Sequence, residues 1–240
     1  MNTTTTKKIS FIVVCLAAVS VTMQIAANLV SARTMPVIGH AAPLGVFFFP
    51  LVYVISDVTS DVYGYRISRW IAWITVLMQL VLVGSIRLVI DYTTPCGEFS
   101  QTLDGALRLV FSSGAIIVIA GIAGAVLGGW VNDIIFQLFR HKDGEGHFIK
   151  RKLWSSAGAE LVDTLVFITV AFKIGFHLPW NAVLWMYGIQ FVMKYGVEVL
   201  TAPIAKWLSG RIRTKEGSDV FEDRNRFNIF GFERKVKVVA

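Results

Sequence analysis

Six long runs of apolar residues, separated by short polar segments, constrain this chain more than any other feature of its sequence. The runs cover residues 9–30, 44–55, 70–90, 111–139, 154–176 and 180–208. A helix needs about 20 mostly apolar residues to cross the hydrocarbon core of a bilayer. The second run is the shortest because Pro50 interrupts it, and we expect it to continue through Asp57 and Asp61. The pattern predicts an all-α, polytopic membrane protein with six transmembrane helices.

Composition supports a membrane environment and argues against several kinds of site. Only 16% of the residues are charged and 55% are hydrophobic, whereas soluble domains carry about 25% charged residues. The two cysteines, Cys15 and Cys96, are far apart, and the four histidines lack the paired spacing of a zinc site. The sequence therefore predicts no disulfide framework, no metal centre and no cofactor.

Lysine and arginine residues are concentrated in alternate connections between the apolar runs, and the other connections carry only Arg33 and Arg108. They precede the first run, separate the second from the third and the fourth from the fifth, and follow the sixth. Because basic residues accumulate on the cytoplasmic side of a membrane, both termini are predicted to be cytoplasmic. This placement also explains the net charge of +7 without a nucleic-acid partner. The chain divides into a six-helix transmembrane domain, residues 1–210, and a basic cytoplasmic tail, residues 211–240.

Polar side chains within the last two runs are the strongest candidates for a functional site. Glu160 and Asp163 are three residues apart, so both project from one face of a helix. Gln190, Lys194 and Glu198 follow one another in steps of four residues. Ionisable groups in a membrane are costly and usually face a cavity or a partner. The two faces predict a hydrated pocket, although a structural ion pair explains Lys194 and Glu198 equally well.

Other polar and aromatic residues extend the set of candidates. Asp57 and Asp61 share a helix face, and we interpret them chiefly as a charge cluster with Arg66 and Arg69 that ties the second helix to the third. Gly124 and Gly128 form a pair that lets helices approach closely, either within the chain or in a homodimer. The remaining polar candidates for the pocket lie in the first and fourth runs: Asn28, Asn132 and Asp133. The aromatic candidates, which can stack on a flat ring, are Phe49, Tyr53 and Trp130.

A set of motifs spread from the first run to the sixth resembles the queuosine-precursor transporter family, also called the vitamin-uptake-transporter-like family. The most specific segment is Asp57-x-x-x-Asp61-Val62-Tyr63-Gly64. The other matching positions are Asn28, Phe49-Pro50, Tyr53, Ile55, Arg69, Arg108, Asp133, Trp154-Ser155-Ser156, Asp163-Thr164, Phe167, Lys194 and Pro203. Glu160 departs from the family pattern, in which we expect an amide in many relatives.

The resemblance implies a six-helix importer of 7-deazaguanine derivatives (7-cyano- and 7-aminomethyl-7-deazaguanine) in the bacterial inner membrane. It also implies a fold similar to the substrate-binding components of energy-coupling-factor transporters. A carboxylate can accept both the ring N–H and the amino group of a guanine-like edge, and Glu160, Asp163 or Glu198 can supply it. Asn28, Asn132 or Gln190 can bind the remaining ring atoms. The expected partners are this small molecule and membrane lipids.

Three other functions are compatible with a polytopic chain. A vitamin-binding component of an energy-coupling-factor transporter would need partner ATPases. A membrane-embedded enzyme could use Asp133 and Asp163 as an aspartyl pair, but the sequence lacks the Gly-x-Gly-Asp and HExxH signatures. A scaffold has little reason to bear so many polar groups inside the membrane. The sequence therefore favours a transporter over an enzyme and leaves its energy source open.

Overall fold

The computed structural model describes residues 10–31, 33–143 and 147–216, and most of them are helical. The described part contains six α-helices: α1 Phe11–Ser31, α2 Phe49–Tyr63, α3 Tyr65–Tyr92, α4 Gly97–Asp143, α5 Phe148–Ile168 and α6 Trp180–Glu216. A 3-10 turn, Leu44–Phe47, precedes α2, and a π-helix, Thr169–Gly175, continues α5. The all-α prediction is confirmed.

The boundaries of α2 differ from those of the second apolar run. Pro50 lies in the first turn of α2, where a missing backbone N–H removes no intrahelical hydrogen bond. Pro50 therefore begins the helix, and the expectation that it interrupts the run is wrong. α2 continues through Asp57 and Asp61, as expected, and ends at Tyr63, directly before Gly64. The backbone φ of Gly64 is 90°, a value that favours glycine, and it separates α2 from α3.

Within the described part of the chain, four helical segments are long and apolar enough to cross a membrane: Phe11–Ser31, Leu44–Tyr63, Tyr65–Tyr92 and Gly97–Phe139. The last two helices, α5 and α6, are also long, but buried charged side chains such as Glu160 and Lys194 make them more polar. α6 continues to Glu216, past the boundary at residue 210 between the predicted domain and tail. The predicted tail from residue 217 lies outside the described residues.

A short β-hairpin, which the hydropathy pattern does not predict, connects α1 to α2. Its strands are β1, Thr34–Val37, and β2, His40–Pro43, and they pair in antiparallel register. Ile38 and Gly39 form the turn with φ angles of 50° and 78°, as a two-residue hairpin turn requires. The His40 ring stacks on Trp185 of α6 with 4.1 Å between the ring centroids. This contact attaches the hairpin to the start of α6.

Two apolar layers lie at different levels of the helix bundle. One includes Val58 and Val62 of α2, Phe148 of α5 and Ile212 of α6. The other is formed by the end of α5, the start of α6 and part of α4, and it includes Ile117, Ala120, Phe167, Ile168, Val183 and Met186. α2 packs against α1, α3, α4 and α6, and twelve of its fifteen residues are buried. The middle parts of α5 and α6 are thus left between the two layers.

Candidate functional site

A band of buried polar side chains occupies the middle of α5 and α6. The band consists of Lys152, Ser156, Glu160 and Asp163 on α5 and Gln190, Lys194 and Glu198 on α6. Steps of three and four residues keep each set on one face of its helix. Asp57 of α2 joins the ionisable members of this band. The central charge cluster is defined as Asp57, Lys152, Glu160, Asp163, Lys194 and Glu198, each at most 1% exposed.

Lys152 holds one half of the central charge cluster together. Its Nζ donates to Asp57 Oδ2 at 2.7 Å and also to Glu198 Oε2. Asn132 Nδ2 donates to the other oxygen of Asp57 at 2.6 Å, and Ser156 Oγ donates to Glu198 Oε2 at 2.9 Å. One ammonium group thus joins carboxylates from α2 and α6 to α5.

Lys194 organises the other half of the cluster. Its Nζ donates to Asp163 Oδ2 and lies 3.3 Å from Glu160 Oε2. The same ammonium group lies 4.2 Å from the centroid of the Phe49 ring, a distance at which a cation is attracted to an aromatic face. The partners of Lys194 are therefore Asp163 and Glu160, whereas Glu198, its expected ion-pair partner, pairs with Lys152.

Several polar atoms around Lys194 have no hydrogen-bond partner among the described residues. They include both carboxylate oxygens of Glu160, both amide atoms of Gln190, Asp163 Oδ1 and Thr164 Oγ1. Buried polar groups are almost always hydrogen-bonded in folded proteins, and leaving one unpaired costs about 1–3 kcal/mol. A concentration of such atoms at one place indicates a site that a polar ligand or water completes.

The glycines of α4 let this helix approach the site closely. A methyl group at Gly124 would collide with Asp163 Oδ1, and one at Gly128 would lie 2.7 Å from the Tyr53 hydroxyl oxygen and 2.9 Å from the Ala159 carbonyl oxygen. The glycine face therefore serves packing within the chain. It also brings Tyr53, one helical turn after Phe49, next to Asp163.

Asp133 and Asn28 lie in other polar contacts. Asp133 accepts hydrogen bonds from Ser68 at 3.1 Å and from Arg69 Nη1 at 3.4 Å. Asn28 Nδ2 donates to Gln79 Oε1 between α1 and α3. The residues Gln24, Ser56, Ser68, Arg69, Thr75 and Gln79 line a cavity between α1, α2, α3 and α4, and Tyr53 is shared by this cavity and the surroundings of Asp163.

Asp61 belongs to a separate charge cluster. It accepts hydrogen bonds from Arg151 at 3.1 Å, from Arg213 at 2.7 Å and from Ser209. These contacts tie α2 to α5 and α6. Asp57 pairs with Lys152, so the expectation that Arg66 and Arg69 are its partners is wrong. Trp130, the last aromatic candidate, is half-buried on α4, and its indole N–H has no partner among the described residues.

The structure brings together five of the candidates, Phe49, Glu160, Asp163, Gln190 and Lys194, with Tyr53 beside Asp163. Asn132 and Glu198 lie in the half of the cluster around Lys152. Lys152 is one of the basic residues between the fourth and fifth apolar runs, so the sequence predicts it in a cytoplasmic loop, but the structure buries it completely. Its spacing could have indicated that it is buried, since Lys152, Ser156 and Glu160 are separated by steps of four residues and therefore share a helix face.

Three residues of the sequence motifs, Asp57, Asp163 and Lys194, belong to the central charge cluster. The family described as "Putative vitamin uptake transporter" matches residues 43–208, more than half of the chain. The chain belongs to this vitamin uptake transporter family. The matched region runs from the end of the hairpin to the last turns of α6 and includes the whole central charge cluster.

A similar protein supports the same class. The chain is 23% identical over 186 residues to a "Probable queuosine precursor transporter" of Bacillus subtilis (strain 168). The alignment covers 75% of this chain and 77% of the relative. No solved structure matches the chain. Membership of the vitamin uptake transporter family and the apolar helices of the chain together identify a multi-pass membrane protein. The family also identifies this protein as a transporter and not an enzyme.

The alternative of a membrane-embedded aspartyl enzyme also lacks support in the geometry. Asp133 is paired with Arg69, whereas Asp163 is paired with Lys194. Such an enzyme would need the two carboxylates to share one reacting water molecule, but each has its own cationic partner.

Proposed function

We propose that this chain imports a queuosine precursor, a 7-deazaguanine derivative, and binds it beside Glu160 and Gln190. The observation that carries the proposal is the set of unpartnered polar atoms on these two side chains, both completely buried. The name of the Bacillus subtilis relative supports the choice of substrate, and the family match supports transport.

The available atoms suit the hydrogen-bonding edge of a guanine-like ring. Both oxygens of Glu160 lack hydrogen-bond donors, so this carboxylate can accept the ring N–H and the exocyclic amino group together. Such a two-point contact with a carboxylate is stronger and more directional than one between neutral groups. Gln190 offers one donor and one acceptor for the ring carbonyl and a ring N–H.

Aromatic side chains border the same position. Phe49 and Tyr53 lie one helical turn apart on α2, and the Phe49 ring contacts Lys194. Phe49 also packs edge-on against Phe167 of α5 with 6.0 Å between ring centroids. A planar base inserted beside Glu160 would therefore meet an aromatic wall, and stacking on such a wall contributes about 1–3 kcal/mol.

The remaining features of the proposal concern the membrane. α5 and α6 complete six spans, since α5 packs against α4 and α6 against α2 while both expose leucines that can face lipid. The distribution of basic residues supports the bacterial inner membrane and cytoplasmic termini. Similarity to energy-coupling-factor components and formation of a homodimer stay predictions.

Titration of the purified protein with 7-deazaguanines tests this function. The expected result is saturable binding of at least one of them, with weaker binding of guanine and none of an unrelated vitamin such as biotin. Binding of the vitamin alone would refute the substrate and favour the vitamin-binding alternative.

Two matched glutamine variants locate the site. Gln190→Leu should lower the affinity for the 7-deazaguanine about tenfold, which corresponds to a loss of about 1.4 kcal/mol of binding free energy. Gln24→Leu is the control, because Gln24 is also buried and has an unpartnered amide nitrogen, but it lines the cavity between α1, α2, α3 and α4. A loss of affinity confined to Gln24→Leu would place the ligand in that cavity and contradict the proposed site.

A further inference from the structure

Buried negative charge exceeds buried positive charge in the part of the chain that the structure describes. The buried acids are Asp57, Asp61, Asp133, Glu160, Asp163 and Glu198, and the buried bases are Arg69, Arg151, Lys152 and Lys194. Arg213, whose side chain is 26% exposed, adds a fifth positive charge beside Asp61. Six carboxylates therefore face five cations.

The excess lies in the central charge cluster. Arg69 balances Asp133, and Arg151 and Arg213 together pair with Asp61. Lys152 and Lys194 remain for the four carboxylates of the cluster. Arg151 precedes Glu160 by nine residues on α5, about 13 Å along a helix, so its charge compensates the cluster only weakly.

Glu160 has the least compensation within the cluster. Asp57 and Glu198 each accept a hydrogen bond from Lys152, and Asp163 accepts one from Lys194. Glu160 makes only the longer 3.3 Å ion pair with Lys194, and neither of its oxygens accepts a hydrogen bond from a described residue. An uncompensated carboxylate in a dry interior is unfavourable, so a bound cation would be favoured there.

We propose that the site selects a positively charged substrate, and that Glu160 is the specificity-determining residue. This inference rests on the proposed function and adds to it a preference among 7-deazaguanines. The aminomethyl derivative carries an alkylammonium group, whereas the cyano derivative is neutral. This substituent lies on the opposite edge of the ring from the ring N–H and the amino group that Glu160 binds. The ammonium group therefore acts on Glu160 through the electric field of the dry site and not by direct contact. The ammonium group supplies the positive charge that the central charge cluster lacks. A neutral ring satisfies hydrogen bonds but leaves the excess charge in place.

The test is the ratio of two dissociation constants, cyano over aminomethyl, measured for each variant by titration calorimetry. In the unmodified protein the ratio should be about ten or more, which corresponds to 1.4 kcal/mol. Glu160→Gln removes one of the two excess negative charges of the cluster and keeps the size of the side chain, so the ratio should fall severalfold. Any contact of Glu160 with the ring that both ligands share cancels in the ratio.

Thr164→Val is the matched control, because Thr164 is a buried neutral residue one turn from Glu160 with an unpartnered hydroxyl group. This variant should leave the ratio unchanged even where it lowers both affinities. A ratio near one in the unmodified protein, or an unchanged ratio in Glu160→Gln, would overturn the charge preference while the proposed function stands. Failure of a folded preparation to bind either ligand would overturn both.

Discussion

Replacement of Lys152 by methionine tests the architecture of the central charge cluster. Methionine keeps most of the length of the side chain but removes the ammonium group that Asp57 and Glu198 share. Both carboxylates are completely buried. After the change, Asp57 keeps the hydrogen bond from Asn132 and Glu198 keeps the one from Ser156.

The magnitude follows from these contacts. Removal of one partner from a buried ion pair costs about 3–5 kcal/mol, because the remaining charge is left uncompensated. In Lys152→Met the lost cation serves two carboxylates, while two neutral hydrogen bonds remain to offset part of the loss. We therefore expect a loss within that range, and an apparent unfolding temperature in detergent that falls on the order of 10 °C.

The assay is thermal unfolding of purified variants followed by intrinsic tryptophan fluorescence. Lys150→Met is the control, because Lys150 is exposed on the same helix, and its unfolding temperature should change little. The double variant Lys152→Met/Glu198→Gln carries one carboxylate charge fewer and should recover part of the loss. Equal unfolding temperatures for Lys152→Met and Lys150→Met would refute the assignment of Lys152 to the interior.

Two further predictions concern packing and topology. Gly124→Ala should displace Asp163 from Lys194 and weaken binding of the 7-deazaguanine severalfold in titrations. Gly105→Ala on the same helix is the control, because a methyl group there meets open space and should leave the affinity unchanged. Equal affinities of the two variants would show that α4 does not position Asp163. For topology, a membrane-impermeant maleimide applied to intact cells should label the native Cys96. It should not label Lys142→Cys in a chain with Cys96→Ser, and the reverse labelling pattern would contradict cytoplasmic termini.

Local sequence patterns determined the helical class and much of the candidate site. The apolar runs locate all six helices, because a long apolar segment can satisfy its backbone in a membrane only as a helix or within a closed barrel. The spacing of Glu160 and Asp163 and of Gln190, Lys194 and Glu198 places each set on one face, because the helical repeat relates positions three and four residues apart.

Tertiary structure decided which charged residues meet. Sequence spacing gives the face of a helix but not its rotation or its shift along a neighbouring helix, and both determine the partner of a side chain. Asp57 therefore pairs with Lys152 of α5, although arginines nearer in sequence were expected to be its partners. Lys152 is buried although it follows two basic residues. The excess charge at Glu160 likewise appears only when the helices are packed together and every buried cation has been assigned to its carboxylates.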